Sequence, residues 1–449
     1  MNLRTRCSTL WVVLMAMTCV LTATSCWADS VLKAFVEKPD PTTHWEIVGS
    51  ATEEGVTVYN ILLTSQTWRD IPWKHHLALV VPEKKKDTKH ALLFISGGSL
   101  DENGNTRIKN KSDEIARIGK IATLTGSPVA VLGQVPNQPL YGGKKEDDLI
   151  SYTYDQYVKT GDNTWPLLQP MVKSAARAMD AVQDVAKTKA GVTVEKFVVS
   201  GASKRGWTTW LTGAVEPRVA AIAPMVIDTL YFEKQMPHQL ESWGKYSEQI
   251  EDYTRLGLQE KLASDEGKSL RQIVDPYSFV DSLTMPKLLF MGTNDPYWVV
   301  DAVKFYYDDL KGDKGIHYVA NAGHGLKDGK EAIENLAAFF ATIATGRKDP
   351  TLNWKTNVEN GKVTVNLTAN VDAVSGKLWT ATQSDRDFRD ATWTSQGLDS
   401  DDSRAATVSV PLPKEGFKTF YVEAFFPSPL GGDWSKCTRV FVLDKNGIL

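Results

Sequence analysis

Residues 197–207 of this 449-residue chain read Phe-Val-Val-Ser-Gly-Ala-Ser-Lys-Arg-Gly-Trp. The β-branched and aromatic run at its start predicts a short buried strand, and residues 207–214 are compatible with a helix. Between the two lies a turn of small residues with Ser203 at its apex. A sharp strand-to-helix turn of this kind lifts a serine hydroxyl clear of a sheet, so Ser203 is a candidate nucleophile. A lone Gly-x-Ser sequence also occurs in ordinary turns.

The glycines around Ser203 fit such a turn only in part. Gly201 stands two residues before the serine, where a strained turn leaves no room for a Cβ atom. The usual pattern has a second glycine two residues after the serine, but that position is Arg205, and Gly206 follows one residue later.

Two later segments each deliver a chemically useful side chain after a predicted strand. Residues 286–296 predict a buried strand that ends in a polar turn carrying Asp295, and residues 316–325 predict a strand followed by His324 between two glycines. The interval between them leaves room for a helix at residues 299–310. Side chains at the carboxyl ends of strands are where open α/β sheets build their sites.

Ser203, Asp295 and His324 together have the residue types and the chain order of a catalytic triad. A serine hydroxyl is a weak nucleophile, so an imidazole must take its proton, and a carboxylate holds the imidazole in the right tautomer. The alternative is that Asp295 and His324 are ordinary turn and loop residues. Three candidates in the right order, each after a strand, favour the triad.

An oxyanion hole is predicted from two backbone segments. Residues 91–96 form an apolar run that leads into Gly97 and Gly98, and the residue after the nucleophile is Lys204. In triads on this type of sheet, the loop after an early strand and the residue after the serine each direct an N–H group at the developing oxyanion.

The chain resembles the PhoPQ-activated pathogenicity-related proteins, the PqaA-like family, of the α/β-hydrolase superfamily. The segments that carry the resemblance are residues 200–210, 68–69, 73–76, 95–98, 292–295 and 322–324. The resemblance implies an exported α/β-hydrolase-like protein in a family linked to antimicrobial-peptide resistance or virulence. If the relatives are the guide, the source of the chain is bacterial. The resemblance leaves the substrate open.

A looser likeness exists to dipeptidyl-peptidase-type hydrolases and to carbohydrate esterases with a basic residue beside the serine. In those esterases the basic side chain assists the oxyanion, so Lys204 or Arg205 is a candidate for substrate or oxyanion assistance. For Arg205 we favour a structural role, as a cap or an ion pair of the helix, because charges near helix starts are usually solvated.

Residues 1–28 are predicted to be a signal peptide, with two arginines, an apolar stretch and a cleavage site after Ala28. The mature chain is therefore expected to be periplasmic or secreted. A minority alternative is a lipoprotein anchored at Cys26. No second apolar segment is long enough to cross a membrane, so we expect no stable membrane insertion of the mature chain.

Composition excludes several other classes. The formal net charge is −3, and the basic run at residues 84–86 stands alone, so nucleic acid is not expected as a partner. Of the four cysteines, only Cys437 lies beyond the leader, which rules out an internal disulfide in the cleaved chain. The histidines lack metal-ligand spacing, so we expect no metal and no cofactor. The oligomeric state stays open.

The predicted architecture is an α/β-hydrolase domain at residues 29–346 followed by a β-sandwich of fibronectin or immunoglobulin type at residues 350–449. The first domain starts with a layer of strands, continues as a mostly parallel sheet with helices on both faces, and carries a lid-like insertion near residues 229–280. The short alternating strands after residue 350 are typical of a sandwich.

These patterns predict an exported serine hydrolase, a peptidase or an esterase, that acts through a covalent acyl-enzyme on a peptide or ester substrate. The alternative is a non-enzymatic binding or signalling protein on a hydrolase scaffold, because a fold does not fix a function.

Overall fold

The computed structural model describes residues 31–86, 89–108, 112–265 and 267–449. The predicted signal peptide, residues 1–28 with Cys26, lies outside the described residues. No helix in these ranges is long and apolar enough to span a membrane.

A central sheet runs in the order β1-β2-β3-β5-β4-β6-β7-β8-β9. From β5 through β9, neighbouring strands are parallel, whereas β1, β2 and β3 pair antiparallel and β3 is antiparallel to β5. The strands are β1 (His44–Glu53), β2 (Val56–Trp68), β3 (Ile71–Pro82), β4 (His90–Ile95), β5 (Val129–Leu132), β6 (Lys196–Ala202), β7 (Val219–Met225), β8 (Lys287–Gly292) and β9 (Lys314–Val319).

Helices cover the central sheet on both faces. They are α1 (31–37), α2 (Asp113–Thr125), α3 (Glu146–Thr160), α4 (Leu168–Ala190), α5 (Lys204–Val215), α6 (Phe232–Trp243), α7 (Glu251–Thr254), α8 (Leu258–Ala263), α9 (Lys268–Val274) and α10 (Lys330–Ala344). Helices α4 and α5 pack in one apolar cluster, and α2 and α10 pack in the other.

Strand residues divide between these two clusters by strict alternation. In β6, Val199 belongs to the cluster with α4 and α5, and Val198 to the cluster with α2 and α10; Leu289 and Leu288 divide in the same way in β8. A strand whose side chains are buried on both sides reads as a continuous apolar run, which is why β6 and β8 were recognisable in the sequence. The predicted α/β fold class is confirmed.

The parallel arrangement brings the ends of four strands to one edge of the sheet. Gly97 follows β4, Ser203 follows β6, Asp295 follows β8 and His324 follows β9. Helix α3 and helices α7 to α9 contact one another beside this edge. Helices α7 to α9 lie within the insertion predicted near residues 229–280.

The chain after α10 forms antiparallel strands in two sheets. One sheet has the order β10-β11-β14; in the other, β15 pairs with β12, β16 and β17, and β12 pairs with β13. Their bounds are β10 (Leu352–Glu359), β11 (Lys362–Ala369), β12 (Ser375–Gln383), β13 (Thr394–Leu398), β14 (Ala405–Pro411), β15 (Phe417–Pro427), β16 (Asp433–Cys437), β17 (Phe441–Asp444) and β18 (Gly447–Ile448).

These two sheets share an apolar cluster that includes Val365 of β11, Val408 of β14 and Val422 of β15. The C-terminal antiparallel region is therefore layered as the sequence pattern predicts. Strand β16 also pairs with β9 through Cys437 and Ile316, so the central sheet continues into the C-terminal strands. The division into domains near residues 346–350 stays a prediction.

The helix predicted at residues 299–310 is wrong. Within this segment the structure has a single 3₁₀ turn, Ala302–Phe305, among bends. The carboxylate of Asp301 does not cap a helix; it is buried and contacts Nε2 of His238 at 2.6 Å and Nζ of Lys304 at 2.8 Å. These tertiary contacts override the local helical pattern.

A buried ion pair joins the C-terminal strands to the segment after α10. Nζ of Lys436 donates to both carboxylate oxygens of Asp349 at 2.7 and 2.8 Å, and both side chains are almost fully buried. Replacing Asp349 by Asn leaves the ammonium without its counter-charge. We expect Asp349→Asn to lower the free energy of unfolding by about 3–5 kcal/mol, measured by urea denaturation.

The matched control for that change is Asp372→Asn, which breaks the exposed ion pair with Arg404. Exposed pairs contribute little, so this variant should lose less than about 1 kcal/mol. Equal unfolding midpoints for the two variants would contradict a structural role for the Lys436–Asp349 pair.

Candidate active site

Ser203 occupies the turn between β6 and α5 in a strained backbone conformation, with φ of 58° and ψ of −127°. Such angles are costly for a residue with a Cβ atom, on the order of 1–3 kcal/mol, and persist only where the surroundings impose them. The N–H of Ser203 donates to the carbonyl of Met225 at 2.8 Å, which fixes the turn to β7.

Close packing explains both glycines beside the serine. A Cβ atom on Gly201 would lie 2.9 Å from the carbonyl oxygen of Ile95, and one on Gly206 would lie 2.9 Å from the carbonyl oxygens of Gly201 and Met225. Gly206 therefore permits the helix to cross directly over the strand. The shifted glycine found in the sequence has a steric purpose in this turn.

Asp295 and His324 form a hydrogen-bonded pair. Nδ1 of His324 lies 2.8 Å from Oδ2 and 3.1 Å from Oδ1 of Asp295, whose carboxylate is buried and also accepts from the N–H of Tyr297 at 2.9 Å. The ring of Tyr297 stacks on the imidazole with centroids 4.0 Å apart. Because Asp295 can only accept when ionised, it places the proton on Nδ1 and leaves the Nε2 lone pair free.

Nε2 of His324 is buried and has no hydrogen-bond partner among the described residues. Ser203 is half-buried, and the part of the chain that the structure describes shows no hydrogen bond between the two side chains. Tyr297 lies next to both residues, because its ring stacks on His324 and lines the same cavity as Ser203. Catalytic hydrogen bonds are often long in free enzymes and tighten when substrate binds.

Lys204 is the first residue of α5, so its N–H has no acceptor within the helix. Gly97 and Gly98, the other predicted oxyanion residues, line neighbouring cavities; among the described residues, neither lines the cavity at Ser203. Gly97 packs against Arg205, since a Cβ atom there would lie 2.5 Å from the guanidinium Nη2.

The two basic side chains after Ser203 are both bound by carboxylates of α3. Arg205 makes a bidentate contact with Glu146 at 2.7 and 2.8 Å, and its Nε donates to the carbonyl of Val135 at 2.5 Å. Nζ of Lys204 lies 2.9 Å from Glu146 and 3.0 Å from Asp147. Sequence reasoning missed this acidic pair, because its only signal was the acidic run at the start of α3.

The charge of the Glu146 carboxyl is strongly favoured in the folded chain. Burial alone raises its pKa, but the hydrogen bonds and charge of Arg205, together with the charge of Lys204, outweigh burial and lower the pKa to about 2. The carboxylate, the guanidinium and the ammonium thus form a compact cluster that ties α3 to the turn at Ser203.

The cavity beside Ser203 is mainly apolar and aromatic. Helices α5 to α8 and the loop after β8 supply most of its wall, and Asp147 lies at its side, where Oδ1 accepts from the hydroxyl of Tyr253 at 3.1 Å. The apolar lining consists of Trp207, Ile227, Phe232, Met236, Ile250, Tyr253, Leu262, Tyr297 and Trp298. Such a cavity suits an apolar group next to a reacting carbonyl.

The strand order, the strained turn and the pair at the same sheet edge define an α/β-hydrolase fold. The model of the family described as PhoPQ-activated pathogenicity-related protein matches residues 32–389. The chain belongs to that family.

The chain is also similar to individual proteins. Autocrine proliferation repressor protein A of Dictyostelium discoideum is 32% identical over 427 residues, which cover 88% of this chain and 85% of the relative. Among solved structures, acetyl xylan esterase 1 from Thermoanaerobacterium sp. JW/SL YS485 is 16% identical with a TM-score of 0.44, over 70% of this chain and 93% of its own. A glucuronoyl esterase from Solibacter usitatus is 13% identical with a TM-score of 0.43, over 71% of this chain and 91% of its own.

The clamp between Arg205 and Glu146 makes the stability of the chain depend on pH. Because the folded pKa of Glu146 is about 2 and its ordinary value is 4.5, the carboxylate stabilises the fold above pH 4.5, and this stabilisation is lost as pH falls towards 2. We expect Glu146→Gln to have a lower urea midpoint than the wild type at pH 7. The gap should shrink steadily between pH 4.5 and 2.

The control is Glu359→Gln, an exposed change at the end of β10, which should match the wild type at every pH. If the difference in urea midpoint between Glu146→Gln and the wild type stayed constant down to pH 2, the charge of the Glu146 carboxylate would not be the source of the stabilisation.

Proposed function

We propose that this protein is a serine hydrolase in which Ser203 attacks a carbonyl carbon and forms a covalent acyl-enzyme. The observation that carries the proposal is the hydrogen-bonded pair of Asp295 and His324, at the same sheet edge as a serine in a strained turn. The family membership supports a hydrolase scaffold, and the residues supply the chemistry.

His324 would move the proton in both halves of the reaction. Its Nε2 lone pair would take the proton of the Ser203 hydroxyl as the serine oxygen bonds to the carbonyl carbon, and would then give the proton to the leaving group. A water molecule, deprotonated in the same way, would release the acid and restore Ser203. Asp295 would hold the ring and stabilise the transient imidazolium.

The oxyanion would be stabilised by the backbone N–H of Lys204, with a second N–H from the Gly97–Gly98 loop. The Lys204 ammonium is already paired with Glu146 and Asp147, so we assign the residue a role through its N–H group. We assign Arg205 a positioning role, because its guanidinium is held by Glu146 and Val135.

We propose a carboxylic ester or a peptide as the substrate, with an apolar group in the aromatic cavity beside Ser203. The support for this is the lining itself, in which Trp207 of α5 and Trp298 of the loop after β8 offer flat apolar surface. A peptide substrate would accord with the link to antimicrobial-peptide resistance that the family resemblance implies.

The nucleophile assignment predicts that Ser203 reacts with a fluorophosphonate probe. Labelling of the wild type should be stoichiometric, and Ser203→Ala should abolish it, because the probe bonds to an activated serine oxygen. The control Ser409→Ala removes an exposed hydroxyl on β14 and should label like the wild type.

Two outcomes would count against this assignment. Equal labelling of the wild type and Ser203→Ala would place the nucleophile elsewhere. A folded wild type that takes no label would favour the non-enzymatic binding protein.

The acid–base pair predicts graded losses in the hydrolysis of a p-nitrophenyl ester. His324→Ala should lower kcat on the order of 10⁶-fold, as for loss of a whole triad, and Asp295→Asn should lower it on the order of 10⁴-fold. The exposed His44 provides the control, since His44→Ala should leave kcat unchanged. If His324→Ala kept most of its rate, another group would have to be the base.

We also propose that the chain is exported to the periplasm or secreted after cleavage following Ala28. The support is the composition of residues 1–28. Mass spectrometry of the exported protein should give an N-terminus at Asp29. A diacylated Cys26 at the N-terminus would instead establish the lipoprotein.

A further inference from the structure

Three potential metal ligands converge where the central sheet meets the C-terminal strands. His317 lies on β9, Glu331 in the first turn of α10 and Glu423 on β15. One ligand atom from each lies within 4.8 Å of the other two. β9 and α10 follow each other in the chain, whereas β15 is distant from both in sequence, so only the fold brings Glu423 to the other two side chains.

His317 has a free ring nitrogen in this cluster. The side chain is fully buried; Nδ1 lies 3.0 Å from Oγ of Ser435, and Nε2 has no hydrogen-bond partner among the described residues. When Nδ1 donates to Ser435, Nε2 presents a lone pair to the two carboxylates.

The two carboxylates form no ion pair with a lysine or arginine in the part of the chain that the structure describes. Glu423 is 4% exposed. A lone pair and two carboxyl groups in close contact form a site that a cation would stabilise.

The spacing and the donor set suit a small divalent ion. Nε2 of His317 lies 3.5 Å from Oε1 of Glu331. Two ligands of a tetrahedral ion with bonds of about 2.1 Å are about 3.4 Å apart. One neutral imidazole and two carboxylates carry a total charge that balances a divalent cation, and nitrogen and oxygen donors of this kind bind zinc.

Neighbouring groups already hold the ligands in place. Nε1 of Trp379 donates to Oε2 of Glu423 at 2.8 Å, and Ser435, the partner of His317, is fixed by Asn335 of α10, whose Oδ1 accepts from the Ser435 N–H at 2.8 Å. Bound metals depend on such supporting hydrogen bonds. Glu331 is half-exposed, which gives an ion and a fourth, water ligand access from solvent.

We propose that His317, Glu331 and Glu423 bind one zinc ion, which joins β9, α10 and β15. The proposal departs from the expectation from sequence that the chain binds no metal. Its role is structural: β9 leads to the loop that carries His324, so the ion would fasten the C-terminal strands to the strand that delivers the proposed base.

Zinc titration of the purified chain tests the proposal. After treatment with a chelator and dialysis, the wild type should bind ZnCl₂ with one more equivalent than Glu423→Gln or His317→Gln, by calorimetry and elemental analysis. At 100 times the dissociation constant, zinc should raise the folded-to-unfolded ratio of the wild type about 100-fold and leave these variants unchanged.

Matched variants keep the test decisive. Glu334→Gln changes an exposed carboxylate on the same helix and should bind zinc like the wild type. Glu331 is half-exposed, so Glu331→Gln should fold even if the buried substitutions do not, and it should bind one equivalent of zinc fewer than the wild type. A wild type that binds no zinc, or that binds as many equivalents as Glu331→Gln, would overturn the proposal.

Discussion

The backbone conformation of Ser203 is the constraint on which the candidate site depends. A φ of 58° with a ψ of −127° is held only because β6 and α5 cross at contact distance, with Gly201 and Gly206 as the residues in contact. The turn lies between β4 and β7, so the order of the parallel strands fixes where the serine hydroxyl emerges. The contacts of the surrounding strands and helix hold Ser203 in this strained conformation.

The acidic start of α3 adds a second support for this turn. Glu146 holds Arg205 and Lys204, the two residues after the serine, while Asp147 lies at the side of the apolar cavity. A basic pair beside a nucleophile would otherwise favour binding of any anion. Once paired, the two cations fix the position of the helix start, which is why our proposal assigns the oxyanion role to backbone N–H groups.

The sequence predicts the α/β fold class because β6 and β8 are continuous apolar runs, and it places Ser203, Asp295 and His324 after strands. The contact of His324 with Asp295 fits that placement, while the pairing of Ser203 with His324 stays a prediction. The sequence could not show contacts between distant segments. The contact of Glu146 with Arg205 and the contact of His317 with Glu423 arise from tertiary packing, and the acidic run at the start of α3 does not reveal which basic side chains it binds.

The buried carboxyl groups of Asp295 and Asp301 lie close enough to Asp228 to influence its charge. Burial, together with the charges of Asp295 and Asp301, raises the pKa of Asp228 to about 7 against the opposing contact with Tyr306. Below pH 7 Asp228 is therefore mostly neutral, and it adds little negative charge near Asp295. Asp301 keeps its charge because, although burial opposes ionisation, His238 and Lys304 lower its pKa well below its usual range. The fold thus neutralises Asp228 and pairs Asp301, while the carboxylate of Asp295 contacts His324 and the N–H of Tyr297.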